Sequence, residues 1–180
     1  MSMHRFAIII GFLGGILGFA LSGAAFAAES PNLGEPISEA DLAPWDINIM
    51  PDGTGLPVGS GTATEGAPIF VQKCAICHGA QGEGGEARAL NAGPPAATLD
   101  GGKSIANFWP YATTVFDFIR RAMPPTAPNT LPAEEVYALT AYVLYLNEII
   151  GENDVIDKDT LPEVRLPNRD NFIIRFPERI

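Results

Sequence analysis

The segment KCAICHG, residues 73–79, contains both cysteines of the chain. Cys74 and Cys77 are separated by two residues, and His78 follows directly. Within one helical turn this spacing places both thiols on the same side of the backbone. Two such sulfurs can form thioether bonds to one porphyrin edge, and the adjacent imidazole can bind its iron. C-x-x-C-H is the attachment signature of a c-type haem. The sequence therefore predicts one covalent haem c.

Three other roles for these cysteines are less consistent with the sequence. A thioredoxin-like redox pair normally lies in a βαβ pattern, which the surrounding sequence does not show. A zinc site would need a further cysteine or histidine, and the chain beyond residue 27 has none. A structural disulfide would leave His78 without a role. We therefore favour haem attachment.

Residues 1–27 have the pattern of a secretory signal peptide. Arg5 gives a positive start, residues 6–21 are almost wholly apolar, and residues 25–27 read Ala-Phe-Ala, an A-x-A cleavage signature. Cleavage after residue 27 predicts a periplasmic protein with no membrane segment. The alternative is an apolar segment that is retained as a membrane anchor.

The charge of the chain is strongly acidic. It has 21 acidic and 11 basic side chains, and removal of residues 1–27 takes away one arginine and no acid, leaving 10 basic side chains and a net charge of −11. Nucleic acid is excluded as a partner because it selects a basic surface. A protein with a basic face is a suitable partner. Asp154, Asp157 and Asp159 either contact such a partner or form a solvated charged face, which is the commoner role.

The second axial ligand of the haem iron can be narrowed by elimination. His4 leaves with the signal peptide, so His78 is the only histidine of the mature protein. Ligation by two histidines of one chain is thereby excluded. Two methionines remain beyond residue 27, Met50 and Met123.

Met123 is favoured as this ligand, and Met50 remains the alternative. Met123 ends an amphipathic run that Pro124 stops, so its thioether would lie on a turn. Lys73 and Lys103 are outside candidates. A histidine–methionine pair raises the haem potential and blocks substrate access, which suits electron transfer.

Helical signals precede the haem motif. Thr62 and Glu65 have the spacing of a capping box, which opens a helix running to Cys74. Pro68 fits only the first turn of a helix, so this helix can begin later than the box suggests.

Two further helices are predicted after the motif. One covers residues 113–122, and a longer one opens at Pro132 and closes at Gly151. Between the motif and these helices, residues 79–107 are glycine-rich and should wrap the haem as loop. Trp109 either flanks the haem or is a core aromatic.

The pattern G-x-x-x-F-x-x-x-C-x-x-C-H, residues 66–78, resembles the first helix and haem site of class I cytochromes c. LTAYVLYL, residues 139–146, resembles the last helix of that family, in which an aromatic, here Tyr142, packs near the glycine. The resemblance implies an all-α fold in which the first and last helices cross beside the haem. Glycine at position 66 would let the two backbones approach closely.

A narrower resemblance extends outside this core. The segments 45–61, 108–124, 135–150 and 161–168 look like cytochrome subunits of the Sox sulfur-oxidation system, in particular SoxD-like haem domains, and like cytochrome partners of sulfite dehydrogenases. The resemblance implies electron transfer from a molybdenum-containing sulfur-compound dehydrogenase subunit to a downstream soluble cytochrome. SoxD commonly carries two haem domains, whereas this chain has one C-x-x-C-H motif.

The predicted organisation has four parts: a signal peptide at 1–27, an extended arm at 28–60, a cytochrome c domain at 61–151 and a C-terminal tail at 152–180. The predicted function is periplasmic electron transfer, as the cytochrome subunit of a molybdenum sulfane or sulfite dehydrogenase, with no enzyme activity or catalytic residue of its own. One alternative is a haem enzyme acting directly on thiosulfate, which the lack of a free cysteine or spare histidine disfavours. Another is a general diffusing carrier, which the long flanking segments disfavour.

Overall fold

A computed structural model describes residues 33–91, 103–173 and 175, except for the side chain of Ala106. The predicted signal peptide, residues 1–27, lies outside the described residues. The chain divides into two compact units, the first ending at Pro44 and the second beginning at Trp45.

The described part of the first unit, residues 33–44, contains one short helix. Helix α1 spans Glu39–Leu42 and is capped by Ser38, whose hydroxyl accepts a hydrogen bond from the Asp41 N–H at 3.4 Å. Asp41 in turn accepts the Ser38 N–H at 2.9 Å, which completes a capping box. All residues of this stretch are exposed. The predicted arm, residues 28–60, is therefore not extended throughout.

The second unit is mostly helical, and the prediction of an all-α fold is confirmed. Its only sheet among the described residues is a single antiparallel pair of two-residue strands. In chain order the elements are β1 (Ser60–Gly61), α2 (Ala63–Lys73), α3 (Ala75–His78), α4 (Ile105–Phe108), α5 (Ala112–Ala122), α6 (Ala133–Leu146), β2 (Ile156–Asp157) and two 3₁₀ turns, Leu161–Glu163 and Arg169–Asn171.

Helix α2 begins at the predicted capping box. The Glu65 N–H donates to the Thr62 hydroxyl at 3.3 Å, and the Thr62 N–H donates to the Glu65 carboxylate at 2.9 Å. The helix starts at Ala63 and contains Pro68 in its interior, so a later start is not observed. The capping box holds the first turn in place, and the proline removes only one main-chain donor beyond it.

Helices α2 and α6 cross in direct backbone contact, as the resemblance implied. A Cβ placed on Gly66 would lie 2.0 Å from the Ala138 carbonyl oxygen and 2.8 Å from the Tyr142 Cβ. One turn further along α2, the Phe70 and Tyr142 rings pack with their centroids 5.1 Å apart. Only glycine at position 66 is compatible with this approach.

The later helices differ from the prediction at their ends. Helix α5 begins at Ala112, one residue before the predicted start. Helix α6 ends at Leu146, so the predicted end at Gly151 was wrong. Glu148, with a φ of +56°, takes the chain out of the helix, and the Asn147 side chain donates to the Val143 carbonyl at 2.7 Å.

The region predicted as loop, residues 79–107, contains the start of a further short helix. Helix α4, Ile105–Phe108, follows Ser104, whose hydroxyl accepts the Asn107 N–H at 3.4 Å. The Ser104 N–H donates to the Asn107 side chain at 2.6 Å, so this is again a capping box. The prediction of loop throughout was therefore wrong at residues 105–107.

The segment after residue 151 contributes to the core. Ile156, Leu161 and Leu166 are buried and belong to the larger of two hydrophobic clusters. The Asn168 side chain donates to the Phe108 carbonyl at 2.7 Å. The boundary between the cytochrome c domain and the tail stays a prediction, but these contacts join the two segments in one folded unit.

The contact between α2 and α6 predicts that Gly66→Ala is destabilising. We expect the free energy of unfolding to fall by about 1–3 kcal/mol, because the added methyl group has no space against the α6 backbone. The measurement is denaturant unfolding of the haem-loaded protein, followed by circular dichroism. The matched control is Gly151→Ala, where the added methyl group would meet nothing closer than the Asp154 carboxylate at 3.3 Å. Equal losses in the two variants would contradict the prediction.

Candidate haem site

A cavity of about 260 Å³ lies against helices α2, α3, α5 and α6. Its lining is almost wholly apolar, as is typical of pockets that bind an organic cofactor. All four predicted cofactor-binding residues contribute to this lining: Cys74, Cys77, His78 and Met123. The structure therefore brings together side chains from two regions that are 45 residues apart in sequence, from His78 to Met123.

One helical turn positions the two thiols and the imidazole. Cys74 ends α2 by donating its N–H to the Phe70 carbonyl at 2.8 Å, and it also precedes α3. Its own carbonyl accepts the N–H of His78 at 3.0 Å and that of Cys77 at 3.1 Å. This turn keeps the two sulfurs and the ring on one short, hydrogen-bonded segment beside the cavity.

Cys74 and Cys77 are both half-buried beside the cavity. Burial is the main cause that raises the pKa of Cys74 to about 11. In this respect Cys74 differs from the reactive cysteines of redox motifs, whose pKa is lowered. In the described part of the chain, no three His, Cys, Asp or Glu side chains are grouped to hold a metal ion.

His78 is oriented by a main-chain carbonyl from the following loop. Its Nδ1 lies 2.9 Å from the Arg88 oxygen, a distance at which a protonated Nδ1 donates a hydrogen bond. This tautomer leaves the lone pair on Nε2 for a metal. The loop is held in place by the N–H of Gly84, which donates to the His78 carbonyl at 2.7 Å, and by that of Ala87, which donates to the Cys77 carbonyl at 2.9 Å.

The Arg88 carbonyl is a site contact that sequence reasoning missed. Any residue can supply a main-chain oxygen, so residue identity gives no signal of this role. Only the loop geometry identifies it. Gly79 lets the chain leave α3 into that loop, because it has a φ of +82° and an added Cβ would lie 2.5 Å from Glu83.

Met123 lies where α5 ends. Its N–H still donates to the Ile119 carbonyl at 3.1 Å, while its own backbone is extended and Pro124 follows. Pro124 lacks the N–H that would continue the helix, as predicted. Met50, by contrast, does not line the cavity. It is 38% exposed, and its N–H donates to the Thr54 carbonyl at 2.9 Å within a turn.

The two lysines considered as ligands have other partners. Lys73 lines the cavity, but its Nζ forms an ion pair with the Glu135 carboxylate on α6 at 2.5 Å. The Lys103 Nζ lies 4.7 Å from the centroid of the Phe108 ring, in a cation–π contact. Both amines are therefore engaged by other side chains.

The donor set fits a c-type haem. An imidazole nitrogen and a thioether sulfur are the axial pair of electron-transfer cytochromes, and two thiols at the spacing of the signature supply the attachment points. Trp109 also lines the cavity, and its ring packs edge-on against Phe118 with centroids 5.5 Å apart. Trp109 is therefore a cavity-wall aromatic that also touches both core clusters.

Comparisons with known proteins give two matches. The family model described as cytochrome c oxidase, cbb3-type, subunit III, matches residues 61–143. A chain in the crystal structure of the sulfane dehydrogenase SoxCD from Paracoccus pantotrophus is 33% identical, with a TM-score of 0.72, and the match covers 83% of this chain and 75% of that chain. No significant match is found among curated proteins. In the described residues, no helix has the length and apolar character needed to cross a membrane.

The cavity geometry predicts different effects for the two methionines. Met123→Ala should remove the sulfur-to-iron charge-transfer absorption of the oxidised protein and lower its potential, because a thioether ligand favours the reduced iron. Met50→Ala, the matched control, should leave both unchanged. The measurements are visible spectroscopy and redox titration. The ligand prediction is wrong if Met50→Ala abolishes the absorption and Met123→Ala does not.

Proposed function

Because the chain belongs to the class I cytochromes c, we propose that it is the electron-accepting subunit of a molybdenum-containing sulfane or sulfite dehydrogenase in the periplasm. It is a haem electron-transfer protein. In this proposal it carries one haem c, joined covalently through Cys74 and Cys77, with His78 and Met123 as axial ligands. A downstream soluble cytochrome then accepts the electrons.

The bound haem supplies a one-electron carrier, and the chain supplies its attachment, ligands and surroundings. His78, oriented by the Arg88 carbonyl, and Met123 would both bind the haem iron, which would leave no iron position for a substrate. The apolar side chains that line the cavity limit water near the cofactor. Phe70, Leu139 and Val143 form the part of this wall that α2 and α6 supply.

The similarity to the SoxCD chain is the observation that carries the proposed partner. The match to the SoxCD chain covers 83% of the 180 residues, which is about 149 residues. The family model matches residues 61–143, which is 83 residues. At least about 66 matched residues therefore lie outside the domain that many cytochromes share. The relative that shares these flanking segments is part of a sulfane dehydrogenase. The shared segments favour a similar fixed partner for this chain.

The acidic cluster near the C-terminus is explained by local structure. Asp154 accepts the Gly151 N–H at 2.7 Å. Asp157 accepts the N–H groups of Asp159 and Thr160 at 2.9 and 2.8 Å, and these backbone hydrogen bonds lower its pKa. These carboxylates stabilise turns, so they do not by themselves support a docking role. The net charge of the whole protein remains the argument for a basic partner.

Covalent attachment predicts a mass increase of one haem. Mass spectrometry of the exported, denatured protein should show this increase, because thioether bonds survive unfolding. The double variant Cys74→Ala, Cys77→Ala should lose it, whereas Met50→Ala serves as a variant that should keep it. An exported protein without added haem mass would rule out the proposed attachment.

The proposed partner predicts fast reduction by a specific donor. A molybdenum sulfane or sulfite dehydrogenase subunit with its substrate should reduce the oxidised cytochrome. The rate of reduction should fall as ionic strength rises, because salt screens the attraction between the acidic cytochrome and a basic face of the partner. Stopped-flow absorption measures this rate. The control is the cytochrome with thiosulfate and no partner, which should show no turnover. Steady thiosulfate turnover in that control would favour the haem-enzyme alternative, and equal reduction by unrelated donors would favour a diffusing carrier.

A further inference from the structure

We propose that Arg121 is a positioning residue, which restrains the turn carrying Met123 through hydrogen bonds to residues 47–48. This inference rests on the proposed role of Met123 as the sixth ligand, and it adds a residue that sequence reasoning did not assign. Arg121 lies in the last turn of α5, two residues before Met123.

The Arg121 guanidinium joins two parts of the chain. Its Nε donates to the Asp117 carboxylate, one turn back on α5, at 2.7 Å. Its Nη2 donates to the Ile47 carbonyl at 3.1 Å and to the Asn48 side-chain oxygen at 2.9 Å. A planar guanidinium can satisfy these acceptors at once, because its donors point in fixed, divergent directions. The side chain is 36% exposed, so it is only partly screened by solvent.

The segment that accepts these bonds is itself held in one conformation. Gly55 has a φ of +89°, and an added Cβ there would lie 1.9 Å from the Asn48 carbonyl oxygen. The Met50 N–H donates to the Thr54 carbonyl at 2.9 Å, and the Thr54 N–H donates to the Asp52 carboxylate at 2.9 Å. Arg121 therefore binds a preformed loop, so little ordering of the loop is needed to make these contacts.

Within the described ranges, few other hydrogen bonds restrain the turn that carries Met123. Upstream, the Met123 N–H donates to Ile119, and downstream the Ala127 N–H donates to the Pro124 carbonyl at 2.9 Å. Both are local main-chain bonds near the end of a helix, where unrestrained chains fray. The bonds from Arg121 reach residues 74 and 73 positions away in sequence. They therefore supply a restraint on this helix end that the local bonds cannot provide.

The neighbouring arginine provides a matched control. Arg120 has the same charge on the same helix, and among the described residues no hydrogen bond or ion pair of its side chain is found. It also adds the same positive charge near the helix C-terminus. A difference between variants at the two positions therefore reports the contacts of Arg121 and not its charge.

The test is imidazole binding to the oxidised, haem-loaded protein, followed by absorption. Imidazole can bind only when the sulfur ligand has left the iron, so its binding rate measures how often Met123 dissociates. We expect Arg121→Ala to raise this rate about tenfold, which corresponds to ~1.4 kcal/mol of lost restraint. Arg120→Ala should leave it unchanged. Arg121→Lys should give an intermediate rate, because one ammonium cannot reach both sets of acceptors in the same geometry.

Three outcomes overturn the inference. Equal rates for Arg121→Ala and Arg120→Ala would do so, as would a loss of unfolding free energy in Arg121→Ala with an unchanged imidazole rate. If Arg121→Ala does not fold, Asn48→Ala can be used, because it removes only one acceptor of the Arg121 side chain. Asn48→Ala should raise the imidazole binding rate by a smaller factor, and an unchanged rate in this variant is the third outcome that overturns the inference. The variant Met123→Ala distinguishes a failure of this inference from a failure of the ligand assignment. If that variant keeps the charge-transfer absorption, the ligand assignment fails, whatever Arg121 does.

Discussion

The backbone contact between Gly66 and Ala138 is the constraint on which the rest of this fold depends. It fixes how α2 and α6 cross, and α2 leads directly into Cys74 and the turn that carries the second thiol. Leu139 and Val143 of α6 both line the cavity, and because they are four residues apart they lie on one face of the helix. A side chain at position 66 would therefore disturb the cavity wall as well as the helix packing.

The hydrophobic core has two parts, and the cavity lies against the smaller one. The larger hydrophobic cluster includes Phe116, Tyr137 and Leu161, and the smaller one includes Phe70 and Leu139, which line the cavity. A small domain rich in loops buries a limited apolar area by itself. A haem bound against the smaller cluster would add apolar contacts to it, and would thereby stabilise the fold as well as carry electrons.

Local signals in the sequence were sufficient to predict the attachment turn, the capping box at Thr62 and the end of α5 before Pro124. Contacts between distant segments were not predictable in the same way. The Asn147 side chain at the end of α6 donates to the Leu90 carbonyl at 3.1 Å, which is a contact between distant segments. The orientation of His78 depends on a main-chain oxygen. The contacts with Leu90 and Arg88 follow from tertiary geometry, which local propensity does not encode.

The segment before the domain has a structural function that its sequence does not reveal. Ile49 and Leu56 pack against the larger cluster, and the Tyr137 hydroxyl donates to the Pro57 carbonyl at 2.8 Å. Residues 47–48 meanwhile accept the bonds from Arg121. One face of this segment is thus anchored in the core, while another reaches the helix end beside the proposed ligand. The hydrogen bonds from Arg121 therefore join this anchored segment to the helix end that carries Met123.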